Sequence, residues 1–188
     1  MSRLLPWLVL LIAACSGSGG PAAYPDVKLN SAHLELVLTD HRTGPISTMK
    51  EPSALERDEE VTYAEEFPAD AVSAQLKERL ARLQSSGATK VVFHVFVERA
   101  DATIFSHYVN EFVKYEVTLR VEVRTERGQL LNRGKTSAWR QLPREEASDA
   151  RRKQAHVEAA VAAFDQYFAD EDRLEALNEN LAAAEKSR

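Results

Sequence analysis

The sequence predicts a two-layer α+β domain, a four-stranded, mostly antiparallel sheet with two long helices on one face, in the order β-α-β-β-β-α. Three observations carry that expectation. Val113, Tyr115, Val117, Leu119, Val121 and Val123 alternate with Lys114, Glu116, Thr118, Arg120, Glu122 and Arg124, the period of a strand with one dry and one wet face. Two other stretches space apolar side chains three or four apart: Val72, Leu76, Leu80, Leu83, and Val157, Val161, Phe164, Phe168. The chain's 188 residues, 44% hydrophobic and 28% charged, have the length and balance of one globular domain.

A first strand is expected over residues 32–39, where Leu34, Leu36 and Leu38 recur at every second position before Thr39-Asp40 ends the run. Residues 40–66 form a long polar stretch with the acidic group Glu56, Asp58, Glu59 and Glu60. A structureless segment of that length is unusual in a compact domain, so it is read as a binding loop or as holding a short hairpin at residues 60–63. The first helix is expected over residues 69–83, started by Pro68 and stopped before Gly87. The second strand, residues 90–98, is apolar on both faces except for His94, which suits a central position covered on both sides. The third strand, residues 111–125, turns at Glu126-Arg127-Gly128-Gln129 into a returning strand over residues 130–142, closed by Pro143. Ser148 offers an N-cap for the last long helix, and Asp170-Glu171-Asp172 separates it from a short helical tail bearing Leu174, Leu177 and Leu181.

The N-terminus reads as an export signal. Arg3 precedes an apolar run from Leu4 to Ala14, which is well short of the roughly 20 residues that span a bilayer. Leu11-Ile12-Ala13-Ala14-Cys15 resembles the bacterial lipobox, in which small residues admit a peptidase and the cysteine thiol takes a diacylglycerol. The resemblance implies a signal peptide over residues 1–14 and a mature chain that begins at Cys15, lipidated there and acylated on its amine with fatty acids such as palmitate. Several acyl chains, at about 0.8 kcal/mol per buried CH₂, suffice for stable anchoring. Ser16, where the sorting pattern places Asp for inner-membrane retention, implies the outer membrane, facing the periplasm. Residues 15–26, rich in Ser and Gly, form a flexible tether, and residues 27–188 form a single domain with a helical C-terminal tail.

Few groups point to chemistry. Net charge is −5, which argues against nucleic-acid binding by the surface as a whole. The single cysteine excludes an internal disulfide and a cysteine-based zinc site. No G-x-S-x-G, H-E-x-x-H, Walker or G-x-G-x-x-G pattern occurs, and no two of His33, His41, His94, His107 and His156 have close ligand spacing. His94 is read as a hydrogen-bonded core histidine. Phe105, Tyr108 and Phe112 lie at one strand crossing and are read as core or as an apolar rim. No catalytic residue, metal site or cofactor is expected.

The lipobox, the tether, a first strand ending in Asp40-His41-Arg42, and a closing helix with the acidic break Phe168-Ala169-Asp170-Glu171-Asp172-Arg173-Leu174 together resemble the YajG-like lipoprotein family. The resemblance implies the α+β fold and the envelope location. The expected function is therefore that of a non-catalytic, lipid-anchored envelope protein that binds or scaffolds another envelope component. The alternative is a lipid- or glycan-binding accessory lipoprotein of an envelope transport system. The expected partner surface comprises the segment over residues 40–66, including Asp40, His41 and Arg42, and the wet sheet face bearing Lys114, Glu116, Arg120 and Glu122. It is argued by elimination, because the helices need the other sheet face for their apolar stripes.

Overall fold

The structure, a computed structural model, describes residues 28–29, 31, 33–50, 64–84, 87–107 and 110–187. Its elements are β1 (His33–Asp40), β2 (Ile46–Lys50), β3 (Ala64–Glu65), α1 (Ala69–Ala81), β4 (Lys90–His107), β5 (Asn110–Thr125), β6 (Leu130–Pro143), a 3₁₀ turn (Arg144–Glu146), α2 (Asp149–Phe168) and α3 (Glu171–Lys186). The expected α+β, two-layer class is the one observed. The segments expected to form a signal peptide and tether, with Cys15, lie outside the described residues.

β4, β5 and β6 make a long antiparallel meander. β4 is long enough to hold two shorter strands on its other side. β1 runs parallel to its first half, from His33↔Lys90 to Asp40↔Val97, and β2 runs parallel to its second half, from Thr48↔Ala102 to Lys50↔Ile104. β3 pairs antiparallel with β2. The sheet therefore has six strands, four long ones in the expected layout and two short ones drawn from the polar stretch. The hairpin expected at residues 60–63 lies outside the described residues.

β4 departs from expectation in two ways. It does not end at Glu98 but continues to His107, because the polar pair Glu98-Arg99 is a β-bulge rather than a turn: the register shifts between Val97 and Arg99. The bulge changes the parity of the dry face. Val91, Phe93, Val95 and Val97 are buried before it, and Ala100, Ala102 and Ile104 after it. Nor is β4 covered on both sides. It is central within the sheet, but Val92, His94 and Phe96 lie on the uncovered face and are only half-buried.

The helices share the other face. Phe164 meets Phe93 edge-on at 6.4 Å and Phe168 at 5.1 Å, and all three rings are fully buried. β6 presents Gly134, Thr136 and Ala138 to α2, small residues that allow close approach. A side chain at Gly134 would lie 3.0 Å from the Tyr167 ring and 3.1 Å from the Arg173 guanidinium. α1 ends at Ala81 rather than at residue 83, and Leu83 stays buried in the following turn, its N–H donating to the Leu80 carbonyl at 3.0 Å. Ser148 occupies the N-cap position of α2 without a side-chain cap bond, whereas the Asp170 carboxylate accepts from the Arg173 N–H at 3.0 Å and starts α3. Leu29 is fully buried, with its N–H donating to the Leu83 carbonyl at 2.9 Å, which ties it to the turn after α1.

Candidate functional site

The strand period places Leu119 and Val121 in the core and Arg120 and Glu122 on the uncovered face. The structure modifies the simple picture of a solvated charged face. Arg120 Nε donates to Glu98 Oε1 at 2.8 Å, and its Nη1 donates to Glu122. Its guanidinium carbon also sits 4.0 Å from the Phe96 ring centroid. Arg124 Nη2 donates to the other Glu122 oxygen at 2.9 Å, and Lys135 Nζ pairs with Glu98 at 2.7 Å. The Arg120 side chain is consequently only 27% exposed and that of Glu122 13%. Lys135 and then Arg120 hold the Glu98 carboxyl below its usual range, and Arg124 and then Arg120 do the same for Glu122.

Phe96 is the centre of this array. His41 packs on it at 4.7 Å and His94 stacks at 6.5 Å between ring centroids. His94 is thus not the hydrogen-bonded core histidine expected; it lies half-buried on the uncovered face. Farther along, Lys114 Nζ pairs with Glu116 at 2.7 Å and lies 5.8 Å from the Trp139 ring centroid. Trp139 is 45% exposed and Val37 44%. Phe105 and Phe112 face each other across β4 and β5 at 5.8 Å, half-buried at the end of the same face. Tyr108 lies outside the described residues.

The fold does not keep Asp40, His41 and Arg42 on one surface. Burial works to raise the Asp40 carboxyl, but Arg42 outweighs it and holds the group below its usual range. Asp40 accepts from the Arg42 Nε at 2.9 Å and from its Nη2 at 2.6 Å. The Arg42 side chain is only 9% exposed and its guanidinium carbon lies 4.9 Å from the Phe67 ring centroid. Phe67 in turn faces His156 at 6.4 Å, so Arg42 belongs to the interior, while His41 lies against Phe96 on the uncovered face.

His156 was not marked by its sequence context, because it looks like one more polar position of an amphipathic helix. In the structure it is fully buried against Tyr115, 5.0 Å away between centroids, and among the described residues neither ring nitrogen has a hydrogen-bond partner. Burial, and then the Arg42 charge, push its pKa down to about 4. Arg152, in the run Arg151-Arg152-Lys153 near the start of α2, turns toward Glu65, with Nε and Oε1 2.5 Å apart.

Among the described residues, no group of three His, Cys, Asp or Glu side chains is placed to hold a metal ion, and no helix is long and apolar enough to cross a membrane. A depression of about 430 Å³, lined by His33, Leu34, Glu35, Gln84 and Lys90, opens to solvent where β1 and β4 begin. No protein-family model matches the chain, and no curated protein matches it. Matches among solved structures include a minor lipoprotein from Acinetobacter baumannii, 13% identical with a TM-score of 0.47, which covers 74% of this chain and 94% of its own. They also include a candidate lipoprotein from Caulobacter crescentus, 18% identical with a TM-score of 0.41, which covers 64% of this chain and 88% of its own.

Proposed function

We propose that this protein is a lipid-anchored component of the bacterial envelope, attached through Cys15, that binds another envelope component with the uncovered face of its sheet. The attachment rests on the lipobox residues Leu11-Ile12-Ala13-Ala14-Cys15, and Ser16 favours the outer membrane. The YajG-like resemblance agrees with both. The observation that carries the binding reading is the condition of the uncovered face. Its charges are paired sideways and half-buried around Phe96, while Val37 and Trp139 stay exposed beside them. Pre-paired, fixed charges next to an exposed aromatic ring suit a reversible and orientation-specific contact. Arg42 is withdrawn from that surface because its guanidinium is used inside the fold.

Two experiments test the two halves. Cys15→Ala should abolish incorporation of a fatty-acid analogue during metabolic labelling, since no other thiol exists in the chain; persistent label would remove the lipoprotein reading. For the contact surface, photo-crosslinkers at Val37 or Ser137 in cells should trap a partner, and one at Glu158 on α2 should not. The swap Lys114→Glu with Glu116→Lys preserves their mutual pair while reversing the local field. It should reduce the trapped adduct at least tenfold and leave the melting temperature unchanged. Adducts formed only from the helical face, or unaffected by the swap, would place the contact elsewhere.

A further inference from the structure

The outer edge of the sheet at β6 carries a specific ligand chemistry. β6 is the last strand of the sheet, paired with β5 on one side only. Its start is closed by α3. Asn180 Nδ2 donates to the Leu131 carbonyl at 2.8 Å, and Asn132 Nδ2 donates to the Arg173 carbonyl at 3.3 Å, while Arg173 crowds Gly134. Arg140 Nη1 turns back to donate to the Trp139 carbonyl at 3.1 Å, but from Lys135 to Pro143 no described element pairs with this edge over about 30 Å of strand. That is room for an added strand of ordinary length.

The side chains along this edge have one sign. β6 reads LLNRGKTSAWRQLP, with Arg133, Lys135 and Arg140 and no carboxylate. Arg133 and Lys135 project on the uncovered face beside Ser137 and Trp139. Lys135 shares Glu98 with Arg120, whereas Arg133 has no described ion-pair partner. Arg140 lies on the helical side, 3.8 Å from Glu158. Basic residues on an edge oppose self-pairing, because two β6 edges laid together would set Arg133, Lys135 and Arg140 against the same cations. The same charges favour an incoming strand that carries carboxylates.

We propose that the β6 edge from Lys135 to Pro143 receives an extended, acidic segment of the partner as an added strand. Main-chain hydrogen bonds supply the attachment, and Arg133 and Lys135 select for carboxylates on the uncovered face, with Trp139 packing beside them. The inference rests on the binding function proposed above and names the chemistry of what is bound.

The test uses the full chain in detergent micelles and a capped synthetic peptide that alternates Glu and Val, compared with its Lys-Val counterpart. The acidic peptide should bind by fluorescence anisotropy, slow amide exchange in β6 at least tenfold and leave β1 unchanged. Arg133→Glu with Lys135→Glu should weaken binding at least tenfold, and methylation of alternate peptide nitrogens should abolish it. Equal binding of the methylated and unmethylated acidic peptides would overturn strand addition, as would protection on β1 instead of β6. So would sedimentation showing that the edge is already occupied by a second copy. If the peptide fails while crosslinking from Val37 still traps a partner, strand addition falls and the binding function stands. If both fail, the binding function falls too.

Discussion

Replacing Phe164 with alanine should destabilise the domain by about 3–5 kcal/mol, measured by denaturant titration. The ring is fully buried and edge-on to both Phe93 of β4 and Phe168 of its own helix. It therefore joins the helical layer to the centre of the sheet. Removing it loses the transfer free energy of the ring and leaves a cavity between Phe93 and Phe168, which tilt against each other at 5.9 Å and cannot both move into the space without losing their own contacts. Trp139→Ala is the matched control. That ring is larger but 45% exposed on the uncovered face, so its loss should cost under about 1 kcal/mol. Comparable losses at the two positions would mean that the uncovered face is buried in the working protein and that the helices are not the only layer over the sheet.

The strands and helices were legible wherever one face is dry and the other wet. β5 shows this best: its odd-numbered residues from Val113 to Val123 are buried, and only Thr118 breaks the alternation, hidden by its hydroxyl contact with Ser137 at 2.6 Å. Legibility failed where a period is interrupted. The bulge at Glu98-Arg99 changes the parity of β4, so a reader of alternation stops at residue 98 although the strand runs on to His107. β2 was hidden because a strand as short as ISTMK has too few residues to show a period. The partner surface was legible as a face but not in detail. Nothing in the local sequence says that Arg42 turns toward Phe67 while its neighbour His41 turns toward Phe96, because both rings come from segments distant in sequence, Phe96 from β4 and Phe67 from just before α1. His156 could have been found by one signal: it sits among Ala155, Val157, Ala159 and Ala160 on the inward side of α2, with no adjacent group able to pair with it.

Asp165→Asn should stabilise the domain at pH 7 by up to about 3 kcal/mol, with the gain vanishing near pH 4. Asp165 lies on α2 and is nearly inaccessible. Arg79 of α1 approaches one carboxylate oxygen at 3.8 Å, too far for a hydrogen bond, and the other oxygen has no partner among the described residues. Burial raises the acid from its ordinary 3.8 to about 6, against the opposing charges of Arg79, Arg140 and Arg82. Between those values the folded chain holds a proton that the unfolded chain has released. Stability therefore falls as the pH rises from about 4 to about 6 and is level above that. His156 runs the other way. Its pKa, lowered from 6.5 to about 4, means that the unfolded chain binds a proton the buried ring refuses, so its contribution falls as the pH drops through the same range. The two slopes oppose each other in the parent, and each is exposed by removing the other group. The difference between Asp165→Asn and the parent should grow from pH 4 to pH 6, and the difference between His156→Phe and the parent should grow from pH 6.5 to pH 4. Urea titrations at half-unit steps measure both. An Asp165→Asn difference that is constant across pH 4–7 would mean that the carboxylate ionises at its ordinary value, with solvent or a cation reaching it between α1 and α2.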